Sequence, residues 1–352
     1  MNGELEIPIP AQVASHFVVV TNDTISDPTA RLHQGLAALD TRAGAGGGAE
    51  GALRHCAVGF LQEERLVVHG HHPPATSWQH GLHLAASADQ LAFITRAGYH
   101  LVISSLAEPH LQPLAAQSAR LAARLLARAT HGVIIDQTTQ RALPDSAPAT
   151  QEPATFTLGD NWLAVAIHIP VHSTVHSGLD GSSQTRALTR GLARFGLPEV
   201  ETAGFPEDAA SCAVDLLHAL AWRLLTRHWS HLTDDPGATT CLLGTDQQVS
   251  TADLQRFWGA TPTRPAGQVH LRLTKAGGDH AAPPQVPYGR SGLHVMPPPD
   301  YHGALATWWR TTVAPAMPAP DSTPDTPGRS PGSPRHRAGT AGKRAGRPNH
   351  GS

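Results

Sequence analysis

The segment from residue 189 to 201 places the strongest restriction on the fold of this chain. It reads TRGLARFGLPEVE, with two glycines, a proline and a large aromatic residue among short apolar runs. This pattern predicts two short strands joined at a turn, and residues 206–227 follow with apolar side chains at helical spacing. Gly191 and Gly196 would permit the turn, and Phe195 would anchor it in a core. A chain with such a segment contains a folded α+β domain.

Strands and helices alternate through the first half of the chain. The predicted strands are 16–21, 100–104 and 133–136, the predicted helices are 28–39, 84–97 and 113–130, and 56–60 with 65–69 is predicted as a hairpin. Asp27 before Pro28 is a typical N-cap for the first helix. The helix 113–130 joins two strands as a crossover, which predicts that these strands are parallel neighbours.

The second half gives weaker but similar signals. A strand is predicted at 162–169, an alternating strand at 268–274, and a short helix at 254–258 behind the capping box of Ser250 and Asp253. Asp300 is predicted to cap a final helix that carries Trp308 and Trp309. Because these tryptophans are adjacent, we expect one to pack inward and the other to face outward.

The fold class that follows is α+β, with a mixed sheet covered by helices and a disordered C-terminal tail. The predicted parts are an α+β half at 1–141, a linker or surface loop rich in Pro, Ser and Thr at 142–155, an α+β half at 156–314, and a disordered basic tail at 315–352. One domain of about 300 residues, within the usual size limits, is the alternative to two related halves.

Charge separates the tail from the rest of the chain. The formal net charge is −2, and residues 319–352 contain six basic and two acidic side chains, which leaves +4 on the tail and −6 on the body. An acidic body is a poor surface for nucleic acid. We expect only a weak nucleic-acid contact, made through the tail.

Several features bear on the compartment and the source. Acids stand near the N-terminus where a signal peptide needs bases, and no apolar run is long enough to span a membrane. Three distant cysteines (Cys56, Cys212 and Cys241) indicate free thiols. Arginine replaces lysine almost everywhere, as in GC-rich bacterial genomes. These features predict a cytoplasmic bacterial protein without membrane contact.

Histidine is unusually frequent, with 23 residues, and it supplies the candidate metal ligands. His69 and His71 would point to the same side of an extended chain, and His72 follows directly. No carboxylate lies close by in sequence, so surface histidines are the ordinary interpretation. No cofactor motif is present, and we expect no cofactor.

Two sets of charged residues are candidates for partner binding. Arg120, Arg124 and Arg128 lie four apart on the helix 113–130, with no acidic residue in that helix. Their spacing predicts one polar stripe, which would either bind phosphate or an acidic partner or form a solvated face. Glu199 and Glu201 would project from one face of a strand, again as a contact for a basic partner or as a solvated face.

Residues 77–104, 113–136 and 186–227 together resemble a family of uncharacterised bacterial proteins of unknown function. The resemblance rests on HLVISSL, on the helix that leads into ATHGVIID, and on TRGLARFGLPEVE with its following helix. It covers about 150 residues and implies an α+β fold in a cytoplasmic bacterial protein. It implies no catalytic residues.

Three functions remain open at this point. The first is a non-catalytic binding or interaction protein with an unknown protein partner. The second is a metal-dependent hydrolase that uses clustered histidines from distant segments. The third is a DNA-associated accessory protein that acts through its basic tail.

Overall fold

The structure, a computed structural model, describes residues 3–43, 49–72, 86–144, 152–153, 155–169, 185–262, 267–276 and 292–317. Its fold is α+β, as predicted from the sequence. The helices are α1 (Pro28–Ala43), α2 (Ala49–Gln62), α3 (Ala88–Arg96), α4 (Leu114–Thr130), α5 (Ala210–Asp234), α6 (Thr251–Phe257), α7 (Leu305–Trp308) and α8 (Ala314–Ala316). The strands are β1 (Glu4–Pro8), β2 (Val13–Thr21), β3 (Leu66–His71), β4 (Tyr99–Ala107), β5 (Val133–Asp136), β6 (Arg141–Ala142), β7 (Ala164–His168), β8 (Arg186–Arg190), β9 (Val200–Ala203), β10 (Thr240–Gly244), β11 (Asp246–Ser250), β12 (Gln268–Lys275) and β13 (Leu293–Met296).

A five-stranded sheet in the order β3-β4-β2-β5-β6 organises the first half. Helices α1, α2 and α4 pack on one face, and α3 covers part of the other through Ile94. The central strand β2 is therefore buried on both sides from Phe17 to Thr21, which explains why it reads as an unbroken apolar run rather than an alternating one.

Strands β4 and β5 are not neighbours, so that prediction was wrong. Both pair antiparallel with β2, which lies between them. They still run in the same direction, as a crossover through α4 requires. Strand β2 lies between them at the centre of the sheet, where helices cover both of its apolar faces.

A six-stranded sheet in the order β11-β12-β13-β9-β8-β7 organises the second half, and only the β13–β9 pair is parallel. Along β12 buried and exposed residues alternate from Gln268 to Leu273, as predicted. Helix α5 packs against the buried face. Strand β1 pairs with β10, so the N-terminal segment crosses to the second half.

The predicted hairpin at 56–69 is half wrong. Residues 56–60 lie in α2, and only the second arm is a strand, β3. The physical reason is a buried helical stripe, because Leu53, Ala57 and Leu61 recur every four residues and are all buried. The strand was predicted from the apolar residues at 56–60 alone, without the four-residue spacing of the buried side chains.

The C-terminal helix also differs from prediction. Helix α7 begins after Ala304 rather than after Asp300, so the predicted cap is wrong. Trp308 and Trp309 are both buried, at 1% and 0% exposure, instead of facing opposite ways. Trp309 packs edge-on against Phe205, while a wide π-helical turn follows at 309–313, so both sides of this helix are covered.

Other local predictions are confirmed. Asp27 accepts a hydrogen bond from the Ala30 N–H at 2.8 Å, and Asp253 accepts one from the Ser250 N–H at 2.9 Å. All three cysteines are free thiols. Among the described helices, none has the length and apolar character needed to cross a membrane. The predicted tail from 318 onward and most of the predicted linker lie outside the described residues.

Candidate functional site

The segment 189–201 forms a tight turn between β8 and β9. Residues Leu192–Phe195 make one turn of 3-10 helix, flanked by Gly191 with φ of 134° and Gly196 with φ of 85°. These are conformations that only glycine adopts without strain. The turn directs Phe195 into an aromatic cluster with Phe156, Trp162 and Trp229.

Glu199 holds this turn together from inside. Its carboxylate accepts hydrogen bonds from the N–H groups of Gly191 at 2.8 Å and Ala193 at 3.1 Å, and from the Thr189 hydroxyl at 2.7 Å. Burial raises the pKa of Glu199, and these hydrogen bonds oppose that rise. Glu199 therefore does not belong to a solvated strand face, and its carboxylate is committed to the turn.

The same turn carries Arg194 to Asp136 at the end of β5. The guanidinium Nη2 donates to both carboxylate oxygens, at 2.6 and 2.8 Å, and both side chains are at most 1% exposed. Asp136 also accepts a hydrogen bond from the Thr138 N–H at 2.9 Å. The Arg194 Cζ lies 5.4 Å from the Trp162 ring centroid, so aromatic faces partly replace its lost hydration.

A second buried arginine also contacts Trp162. Arg120 stacks on this ring with its Cζ 3.6 Å from the centroid. It pairs with Glu152, which also binds Arg124 at 3.0 Å, and its Nη2 lies 2.8 Å from the Asp160 carboxylate. We call Asp136, Arg194, Arg120, Glu152 and Trp162 the junction, because they connect α4 and β5 of the first half with the turn of the second.

The junction changes the interpretation of the arginine stripe. Arg120 is 1% exposed and is a core residue, so the stripe is neither continuous nor solvated. Arg124 is half-buried against Glu152, and Arg128 is exposed. Arg120 and Arg124 face inward, where their acidic partners come from residues 152–160, and no pattern within the helix reveals these partners.

Glu201 lies on the exposed face of the six-stranded sheet. It forms an ion pair of 2.6 Å with Arg186, with side chains that are 19% and 32% exposed. On the same face, Asp246, Arg272 and Met296 are paired in register across β11, β12 and β13 and are all exposed. We call these five residues the outer face.

The histidine candidates divide between two places. His69 and His71 both lie in β3, two residues apart and on one side of the sheet. His71 contacts His100, whose ring centroid is 5.7 Å away. His72 instead packs on Tyr99, with its Nδ1 2.9 Å from the Gly98 carbonyl oxygen.

The electrostatic state of these histidines differs with burial. Burial lowers the pKa of His100 to about 4, with a smaller contribution from the neighbouring His71, so His100 is neutral at pH 7. In the part of the chain that the structure describes, no group of three or more His, Cys, Asp and Glu residues is placed to hold a metal ion.

The sequence did not single out most residues of these sites, among them Arg194 and Trp162 of the junction and Arg186, Asp246, Arg272 and Met296 of the outer face. Glu152 fell in a predicted linker, and Asp160 and His100 were not singled out. A lone acid in a Pro-rich segment gives little signal. The position of His100 opposite His71 could have been found only from the pairing register of β3 and β4, which the positions of the two strands in the sequence do not give.

Comparisons with known proteins supply no function. No protein-family model, no curated protein and no solved structure matches this chain significantly. The resemblance described from TRGLARFGLPEVE remains a prediction and assigns no residue roles.

Proposed function

We propose that this chain is a non-catalytic binding protein of the bacterial cytoplasm and that it contacts a protein partner through its outer face. The observation that carries this proposal is the contrast between the two groups of charged residues. Those at the junction are paired and buried, whereas Asp246 and Arg272 of the outer face are exposed and the Glu201–Arg186 pair is partly exposed.

The chemistry of the outer face favours a protein as the partner. Arginines alternate there with carboxylates, and the exposed Met296 stands beside Arg272. Methionine and arginine are enriched in protein interfaces, and an interface of mixed sign selects a partner with the complementary arrangement. A nucleic-acid surface would instead need an excess of positive charge.

The test is a binding experiment with matched variants. Met296→Asp and Arg272→Glu each alter the outer face, and Leu114→Asp is the control, because Leu114 is similarly exposed in the first turn of α4 where an acid is tolerated. Proteins retained from a bacterial extract by the wild-type chain are identified and then titrated in purified form by calorimetry.

The proposal predicts at least a tenfold loss of affinity with either outer-face variant and no change with Leu114→Asp. Equal binding by Met296→Asp and the wild-type chain would contradict it, as would an equal loss with the control. A wild-type chain that retains nothing beyond what the outer-face variants retain would also count against it.

The basic tail supports a subsidiary proposal of weak contact with nucleic acid. Six of its residues are Lys or Arg. Binding of a labelled DNA duplex would then be sensitive to salt and would disappear in a chain that ends at residue 317. Binding that survives this deletion would place the contact elsewhere.

A metal-dependent hydrolase is the remaining candidate, and the contact of His71 with His100 is the observation in its favour.

A further inference from the structure

The Glu152 carboxylate is held by side chains of one helix. Arg120 donates to it from Nε, which lies 2.8 Å from each carboxylate oxygen, and also from Nη2, while the Nε of Arg124 lies 3.0 Å from Oε2. The side-chain amide of Gln117 donates to the carbonyl oxygen of the next residue, Pro153, at 2.9 Å. These donors stand at positions i, i+3 and i+7 of α4, which share one face of a helix. Helix α4 therefore presents a set of donors for a carboxylate that is followed by a peptide carbonyl.

Contacts that do not involve Glu152 hold the central donor of this set in place. Arg120 stacks on Trp162, with its Cζ 3.6 Å from the ring centroid. It also donates to the backbone carbonyl of Asp160 at 2.6 Å and to the Asp160 carboxylate at 2.8 Å. A donor that is already oriented loses little conformational freedom when a ligand binds. We call the following residues the carboxylate site: Gln117, Arg120, Arg124, Asp160 and Trp162.

The occupant of the carboxylate site comes from a segment of a different kind. Glu152 lies in the stretch 142–155, which is rich in Pro, Ser and Thr, and neither it nor Pro153 belongs to a helix or strand. By contrast, the other buried ion pair of the junction, Asp136 with Arg194, joins a strand to a tight turn. Glu152 and Pro153 thus contact the site as a bound peptide would, through one charged side chain and one backbone carbonyl.

Charge determines what the carboxylate site takes when Glu152 is absent. The carboxylates of Glu152 and Asp160 both pair with Arg120, but only that of Glu152 is as fully buried as the arginine, since Asp160 is 35% exposed. Loss of Glu152 therefore leaves the Arg120 guanidinium buried with less compensation, and an under-compensated buried charge is costly. The planar donors of an arginine match a carboxylate, so the vacated site favours an acidic group.

We propose that the carboxylate site recognises an acidic peptide segment of the sequence Glu-Pro, and that the chain's own Glu152 and Pro153 fill it. A partner segment with the same chemistry must displace them, so Glu152 acts as a built-in competitor. The carboxylate site shares no residue with the outer face, and it therefore stands or falls separately from the proposed binding function.

The experiment asks whether an added peptide replaces the missing carboxylate. Full-length Glu152→Ala is titrated by calorimetry with a peptide of residues 150–155, TQEPAT, blocked at both ends. A second peptide carries glutamine in place of the glutamate. The matched control variant is Glu108→Ala, because Glu108 also pairs with an arginine, Arg65, at 2.9 Å, but both side chains are more than a third exposed or close to it, at 35% and 37%. Circular dichroism establishes that each variant is folded.

The proposal predicts that Glu152→Ala binds the peptide at least about tenfold more tightly than the wild-type chain, whose site is filled, and than Glu108→Ala. The glutamine peptide should bind roughly tenfold more weakly, because it lacks the charge. If Glu152→Ala does not fold, Glu152→Gln takes its place, and the peptide should raise the urea midpoint of this variant and not that of the wild-type chain.

Three results would overturn the proposal. The first is a folded Glu152→Ala or Glu152→Gln chain that does not bind the peptide. The second is equal binding of the glutamate and glutamine peptides. The third is failure of both variants to fold with or without the peptide, which would make Glu152 an inseparable part of the core rather than the occupant of a site.

Discussion

Arg120 and Arg194 are among the largest fully buried side chains of the described structure. Their surroundings could not be predicted locally, since Glu152 lies 32 residues from Arg120 and Asp136 lies 58 residues from Arg194. Sequence patterns recognise partners within a helix or a turn, and neither acid is there. What the sequence did predict was the anchoring of Phe195 and the need for glycine at positions 191 and 196.

Replacement of Arg120 by alanine tests the junction against an exposed arginine of the same helix. Arg120→Ala leaves Glu152 buried with less compensation and removes the stack on Trp162, so we expect a loss of about 3–5 kcal/mol in the free energy of unfolding. Arg128→Ala should change it by less than about 0.5 kcal/mol. Urea denaturation followed by circular dichroism measures both, and equal effects would show that Arg120 is not a core residue.

Buried His218 predicts how stability depends on pH. Burial first, and the charge of Arg141 second, lower the pKa of His218 to about 3, while the ring stacks on Phe257 with 4.2 Å between centroids. The unfolded chain binds this proton near pH 6.5, so the stabilisation is complete above that pH and is lost as the pH falls from 6.5 towards 3.

His218→Phe keeps an aromatic ring for the stack and removes the titrating group. Between pH 7 and pH 4.5 it should lose about 2 kcal/mol less stability than the wild-type chain. The exposed His33 in α1 provides the control, and His33→Phe should follow the wild-type profile. Urea midpoints at several pH values measure the difference. Parallel profiles for His218→Phe and wild type would show that folding does not lower the pKa of His218.

Helix α2 and the turn before β9 show which elements a sequence pattern can define. The turn was predictable because glycine, proline and the flanking apolar residues all indicate the same conformation. Residues 56–60 of helix α2 were taken for a strand because they form a short apolar run, and the buried stripe of Leu53, Ala57 and Leu61 extends beyond that run. The spacing of apolar residues distinguishes a helix from a strand only when it is followed along the whole element.

Two glycine-to-alanine changes test this view of the elements. At Gly191 a Cβ would lie 2.3 Å from the Trp162 carbonyl oxygen, and φ is strained for alanine, so Gly191→Ala should destabilise the chain by several kcal/mol, on the order of 3. Gly59 lies within α2, where a Cβ would meet nothing within 4 Å. Gly59→Ala should therefore stabilise by about 0.5–1 kcal/mol. Thermal unfolding of both variants gives the comparison, and a stable Gly191→Ala would contradict the account of the turn.

The arrangement of the two sheets was the least predictable feature. Strands β2, β4, β5, β7 and β12 were predicted, whereas β1, β6, β10, β11 and β13 were not. The position of β2 between β4 and β5 and the pairing of β1 with β10 depend on contacts between distant residues. The same holds for the junction, which places charged residues of the first half against Trp162. We therefore expect the two sheets to unfold as one cooperative unit, although the sequence left one domain and two halves as alternatives.

The most direct test of this cooperative unit uses a core substitution outside the junction. Leu32 in α1 is fully buried in the first half, and Leu32→Ala should cost about 2–5 kcal/mol. Six of the seven tryptophans lie between residues 162 and 309, so in a Trp78→Phe, Trp162→Phe background the remaining five, from 222 to 309, report on the second half. The account predicts that Leu32→Ala lowers the urea midpoint of the fluorescence transition as much as that of the circular dichroism transition. A fluorescence midpoint that stays at its original value, with a separate earlier transition in circular dichroism, would contradict it.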